Sequence, residues 1–65
     1  MKLTLRNKTW DVIAQAGMTA RDAVRATGLR LGVDVHAWRK GKILRPDARV
    51  EPDDEIQLTT ILHGG

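Results

Sequence analysis

The feature that most constrains this chain is the absence of cysteine from a sequence of only 65 residues. A domain of this length has a small core, and disulfides or a metal ion often stabilise such domains. Without cysteine, disulfides and thiolate metal sites are excluded, and the two histidines, His36 and His63, are too few to form a metal site by themselves. We therefore expect one domain over residues 1–65 that closes on aliphatic packing and binds no cofactor or metal.

Alternating apolar and polar residues predict a hairpin at the start of the chain. Leu3 and Leu5 alternate with polar neighbours, which is typical of a half-buried strand. Trp10 and Val12 repeat the pattern after a turn at residues 7–8, so a second strand should pair with the first. On this interpretation Trp10 shares a face with Val12 and lies in the core.

One helix is predicted after the hairpin. Thr19 followed by Asp22 resembles a capping box with aspartate in place of glutamate. Helical spacing continues to Thr27, and Gly28 should end the helix in the left-handed conformation.

Three further strands are expected in the second half of the chain. They are expected over residues 33–38, residues 43–44 and residues 55–59, with a turn at Lys40 and Gly41 and with Val50 buried in the connection between the last two. The element order is then strand, strand, helix, strand, strand, strand. It predicts an α+β fold in which a small sheet packs on one helix.

The charge distribution leaves more than one class of partner open. The net charge is +3, with basic residues frequent between Arg30 and Arg49 and acidic residues clustered just after them. A basic module that binds RNA is one interpretation. A solvated mixed surface is the plainer one, because no series of aromatic residues accompanies the basic stretch as a stacking platform for bases.

The sequence also bears on localisation. No run of apolar residues is long enough to span a membrane, and the alternating residues 1–6 lack the apolar block of a signal peptide. We expect a cytoplasmic protein that is monomeric on its own and makes no membrane contact.

The chemically informative motif is Gly64-Gly65 at the end of the sequence. Glycine costs backbone entropy when it is ordered and gives no packing in return. Without a Cβ, however, two glycines can pass through a narrow channel, so the α-carboxylate of Gly65 could reach a nucleotide in the active site of another protein. A carboxylate can attack the α-phosphate of ATP to give an acyl-adenylate, from which a sulfur donor displaces AMP to leave a thiocarboxylate. The plainer interpretation is a frayed end.

With these residues the chain resembles the ubiquitin-like sulfur carriers. That group includes the thiamine thiazole sulfur carrier, the molybdopterin synthase small subunit, the small archaeal modifiers and the ubiquitin-related modifier. The resemblance covers the whole chain and rests on the element order, on residues 17–19 before the helix, on Gly41, on Pro46 and on Gly64-Gly65. It implies a β-grasp fold with a flexible tail over residues 61–65.

The resemblance also implies a function and partners. The chain would be a substrate and not an enzyme, activated at Gly65 by an adenylating enzyme of the ubiquitin-activating type that uses ATP and a sulfur donor. The thiocarboxylate would then serve a synthase for thiamine or molybdopterin, or a tRNA thiolase. The alternative is a protein modifier that is conjugated through Gly65 to lysines of other proteins.

Four further residues are predicted to contact a partner. Ile61, Leu62 and His63 precede the glycines. Ile61 and Leu62 either finish the last strand or anchor the tail in an apolar pocket of the partner, and the resemblance favours anchoring for at least one of them. Trp38 should lie on the sheet face opposite Val35, where an exposed aromatic residue favours a partner contact. A shift of one residue in register would instead place Trp38 in the core, and the sequence leaves both possibilities open.

Overall fold

The computed structural model describes residues 1–62, which form five strands and one helix in the predicted order. The elements are β1 (Lys2–Leu5), β2 (Lys8–Asp11), α1 (Ala20–Arg25), β3 (Val35–Arg39), β4 (Lys42–Ile43) and β5 (Glu55–Thr60). The predicted α+β class is confirmed. His63, Gly64 and Gly65, and with them most of the predicted tail, lie outside the described residues.

The five strands form one mixed sheet in the order β2-β1-β5-β3-β4. β5 occupies the centre, parallel to β1 and antiparallel to β3, while the predicted β1–β2 hairpin is antiparallel. The last strand is thus inserted between the first hairpin and the β3–β4 hairpin. A small mixed sheet with this order and one short helix is consistent with the β-grasp fold.

The core lies between one face of the sheet and α1. Alternation along the strands brings their buried side chains to this face, because side chains of neighbouring paired residues point the same way. Complete burial of a leucine, isoleucine or valine side chain contributes about 1.5–3 kcal/mol, so a few residues carry most of the stability. The buried residues are Leu3, Ala20, Ala23, Val24, Val35, Ala37, Val50, Ile56 and Leu58, which confirms the prediction for Val50.

Trp10 is only half-buried and packs against the edge of this core. It lies opposite Leu3 on β2, which is an edge strand of the sheet. The predicted face is therefore correct, but the position at the edge leaves part of the indole in solvent.

The capping box at the start of α1 is present. The backbone N–H of Thr19 donates to the Asp22 carboxylate over 3.1 Å, and the N–H of Asp22 donates back to the Thr19 hydroxyl over 3.4 Å. The hydrogen bond from the Thr19 backbone, aided by its side chain, lowers the pKa of Asp22. The short carboxylate therefore replaces glutamate in this motif.

The helix ends earlier than its apolar spacing predicted. α1 stops at Arg25, because the N–H groups of Thr27 and Gly28 bond to carbonyls three residues back instead of four. Gly28 has φ +87°, as expected for a left-handed residue that ends a helix.

The predicted start of the third strand was wrong. Val33 is 43% exposed and lies in a turn, and β3 begins only at Val35. The cause is local, since Gly32 has φ +87° and the N–H groups of Val33 and Asp34 both donate to the carbonyl of Arg30. The fourth strand is likewise displaced by one residue, to Lys42–Ile43.

An ion pair holds the connection before β5 against β3. The Nη2 of Arg39 donates to the Asp54 carboxylate over 2.6 Å and to the carbonyl of Arg49 over 2.9 Å. The same carboxylate accepts the N–H of Glu51 over 2.7 Å. Burial by itself raises the pKa of Asp54, but the Glu51 hydrogen bond and the Arg39 guanidinium outweigh it, so the pKa lies below its usual value.

Within residues 1–62, no helix is both long and apolar enough to cross a bilayer.

We expect Asp54→Asn to lower the free energy of unfolding at neutral pH by about 1–3 kcal/mol, since hydrogen bonds to a charged acceptor are lost. Because folding lowers the pKa of Asp54, its contribution is complete above the unfolded-state pKa of about 3.9 and is lost as pH falls through the folded-state value. Urea unfolding from pH 7 to pH 2 should therefore show a flatter acid limb for Asp54→Asn. Asp53→Asn, at the exposed neighbouring carboxylate, is the control; an equal loss there would contradict the assignment.

Candidate functional site

The sheet face opposite α1 carries no buried side chain and is called the open face below. One row of directly paired residues crosses all five strands on this face, because each residue of the row is the direct partner of the next one on the neighbouring strand. The row consists of Thr9, Thr4, Gln57, Trp38 and Ile43. It combines two large apolar side chains at the β3–β4 side with small polar ones at the β1–β2 side.

The structure places Trp38 on the open face and decides the question that the sequence left open. Val35 and Ala37 are buried on the other face of β3, so the indole cannot reach the core from this strand. Its Nε1 donates to the hydroxyl of Thr59, two residues along β5 from its direct partner Gln57, over 2.8 Å. The hydrogen bond fixes the indole across β5.

Ile43 extends this apolar area to the edge of the sheet. It is paired directly with Trp38 and is 54% exposed. Isoleucine and tryptophan side by side on a water-facing sheet surface are typical of a contact site for another protein.

The chain leaves the sheet from the end of its central strand. Thr60 is the last residue of β5 and pairs with Val35, and the N–H of Ile61 then donates to the carbonyl of Asp34 over 3.0 Å. Ile61 is half-buried, whereas Leu62 is 90% exposed. The predicted role of these two residues in anchoring a tail stays a prediction, and His63, Gly64 and Gly65 lie outside the described residues.

The loop that receives Ile61 is itself held by Arg30 and Asp34. The backbone N–H of Arg30 donates to the Asp34 carboxylate over 2.8 Å, and its guanidinium forms an ion pair with the same carboxylate at 3.3 Å. Asp34 thus holds Arg30 with its side chain and Ile61 with its carbonyl. The sequence reasoning missed this loop, although the spacing of four residues between two opposite charges was a usable signal.

The described residues of the open face offer the contacts of a binding surface. Among residues 1–62, no three histidine, aspartate or glutamate side chains lie together as they would to hold a metal ion. The open face brings together Trp38, Ile43 and the hydroxyl groups of Thr4 and Thr59, which offer apolar contact and neutral hydrogen bonds. Such a surface can recognise a partner.

Comparison with the models of known protein families, with curated proteins and with solved structures found no match to this chain. Any assignment of function therefore depends on the residues and the geometry described above.

We expect Thr59→Val to release the indole of Trp38, because valine keeps the shape of threonine but offers no acceptor. The loss should lower the free energy of unfolding by about 0.5–1.5 kcal/mol. It should also shift the indole N–H resonance of Trp38 and speed its exchange with solvent, while the resonance of Trp10 serves as an internal reference. Thr60→Val, one residue further on the same exposed strand end, is the matched control. An unchanged Trp38 resonance in Thr59→Val would disprove the hydrogen bond.

Proposed function

We propose that this protein is a ubiquitin-like sulfur carrier whose reactive group is the α-carboxylate of Gly65. The single observation that carries the proposal is the position of the strand end that leads there. β5, the central strand, ends at Thr60, and by Leu62 the side chain is 90% exposed, three residues before Gly65. A terminus that another enzyme must take into its active site needs such an exit from the fold.

The remaining support comes from the architecture. A five-stranded mixed sheet with a parallel β1–β5 pair and one short helix is consistent with the β-grasp fold that the sequence resemblance implied. In such a fold the domain is a rigid body that presents its last residues, and the chemistry is supplied by the partner.

The proposed chemistry has two steps. A carboxylate oxygen of Gly65 attacks the α-phosphorus of ATP on an adenylating partner, and pyrophosphate leaves as the acyl-adenylate forms. A hydrosulfide equivalent from a sulfur donor on that partner then attacks the acyl carbon, and AMP leaves with the bonding electrons. The product is a thiocarboxylate that can donate sulfur to a biosynthetic synthase or to a tRNA thiolase.

The open face supplies the docking surface for this partner in the proposal. Trp38 is held in place by Thr59, so little side-chain entropy is lost when a partner covers it. Together with Ile43 it forms a compact apolar area of the kind that dominates binding energy in protein interfaces. Binding there would orient the tail while leaving the strand end free.

We expect the intact protein from its native cell to include a fraction whose mass is raised by the exchange of one oxygen for one sulfur at Gly65. Deletion of Gly65 should abolish this species, because the terminal carboxylate would then be on Gly64, one residue short of the nucleotide in the partner's channel. Trp38→Ala should reduce it through weaker docking, and Asp53→Asn should leave it unchanged. Intact and C-terminal peptide mass spectrometry measure all four, and also establish whether the mature protein ends at Gly65.

Two outcomes would contradict sulfur carriage and support another function instead. Gly-Gly remnants on lysines of other proteins, without any thiocarboxylate, would instead identify a protein modifier that uses the same activated acyl group. RNA binding that falls steeply with salt and is unchanged by loss of Gly64 and Gly65 would identify a nucleic-acid module.

A further inference from the structure

The end of the sheet from which the chain leaves is rich in positive charge. β1 runs parallel to β5 beside it, so the β1–β2 turn lies at the same end as the end of β5. β3 runs antiparallel on the other side, so the loop before β3 also lies there. We call this region the exit end, and it consists of residues 6–8, residues 30–34 and residues 60–62.

Arginines stand on both sides of the departing chain at the exit end. Arg6 directly follows β1, at the start of the turn to β2, on the β1 side of β5. Arg30 lies on the other side, where Asp34 connects it to the N–H of Ile61. Lys8 begins β2 and adds a third cation at the same end, against the single acidic side chain of Asp34.

Arg6 occupies a backbone conformation that does not suit it. Its φ is +55°, in the left-handed region where a residue with a Cβ is strained by roughly 1 kcal/mol and where glycine or asparagine is usual. Asparagine stands at the next position, Asn7, and not at this one. Lys40, in the turn between β3 and β4, has a similar φ of +49°, so the conformation reflects the tight turn, and Arg6 is exposed to solvent there.

The opposite end of the sheet has a different balance of charge. Of the eight acidic residues in the chain, five lie there or in the connection that leads to β5, namely Asp11, Glu51, Asp53, Asp54 and Glu55. Among the cations at that end, Arg39 pairs with Asp54, and Lys40 lies close enough to lower the pKa of the same carboxylate. The five carboxylates there are matched by five cations, Lys2, Arg39, Lys40, Lys42 and Arg49, whereas three cations stand against one carboxylate at the exit end.

We propose that the exit end, through Arg6, Lys8 and Arg30, docks on a carboxylate-rich rim around the channel that receives the tail in a partner protein. The inference depends on the proposed function for the identity of that channel. The charges act before the tail enters, because complementary potentials speed encounter and fix orientation more than they add affinity.

The observations favour an acidic protein over a nucleic acid as the occupant. The centre of the exit end is aliphatic, with Ile61 half-buried and Leu62 exposed, and an aliphatic centre with a charged rim matches the anatomy of protein interfaces. Three cations beside one acidic residue would also neutralise few phosphates, whereas binding of nucleic acid depends on many such contacts.

The test is a titration of ¹⁵N-labelled protein with a hexaglutamate peptide at low ionic strength, followed by amide chemical shifts. We expect the largest shifts at residues 6–8 and 30–34 and small ones around Lys40 and Gly41. Arg6→Glu should weaken binding about threefold or more, because it reverses one exposed charge at the rim. Lys40→Glu is the matched control, since Lys40 is also a cation with positive φ in a hairpin turn and the change in net charge is identical.

Specified results would overturn the inference. Equal weakening by Arg6→Glu and Lys40→Glu, or shifts spread evenly over the surface, would show a response to net charge alone. Tighter binding of a hexauridylate than of hexaglutamate at the same salt concentration would assign the exit end to nucleic acid.

The titration uses no activating enzyme, so its outcome is independent of sulfur carriage. If hexaglutamate maps to the exit end while no thiocarboxylate is found in cells, the docking surface stands and the proposed function fails. If the thiocarboxylate is present and the titration fails, the function stands and the partner uses only the open face.

Discussion

The pairing of β5 with β1 on one side and β3 on the other is the interaction on which the rest of the structure depends. It joins two hairpins that would each be marginal in water into one sheet large enough to cover a helix. Its register brings Leu3 level with Ile56 and Ala37 level with Leu58, so the buried side chains of three strands share one face. Without a disulfide, this shared face and α1 must supply most of the stability.

The same register determines the opposite surface. Since successive side chains on a strand point to opposite faces, burial of Val35 and Ala37 requires Trp38 to face water. The molecule therefore leaves a half-buried aromatic side chain on the open face next to Ile43 and steadies it with the hydroxyl of Thr59.

Polar contacts close the two ends of the sheet in different ways. At one end the Arg39–Asp54 pair holds the last connection against β3 and compensates charge inside the fold. At the other end Arg30 and Asp34 shape the loop beside Ile61, but Arg6 and Lys8 stay exposed. An arginine–aspartate pair thus serves structure at each end, and Arg6 and Lys8 present further charge to solvent at the end from which the chain leaves.

Much of the secondary structure could be read from local patterns, and the errors came where a backbone conformation overrode them. The capping box at Thr19 and the left-handed Gly28 were readable because each depends on residues a few positions apart. Val33 continued the alternation of β3 in the sequence, yet the Gly32 turn and the side chain of Asp34 took that segment out of the sheet. The spacing of apolar residues does not indicate where a hydrogen bond within a turn will form in place of strand pairing.

The sequence by itself determined the α+β class, the order of the elements, the buried Val50 and the presence of two glycines after an apolar pair. These follow from periodicity and from the conformational demands of single residues, which act over a few positions. Only the tertiary structure decided that β5 is central, that Trp38 faces water, that Arg39 binds Asp54 and that Arg6 lies at the end where the chain departs. Those outcomes depend on which distant strands pair and in which register, and that choice is made by the packing of the whole core.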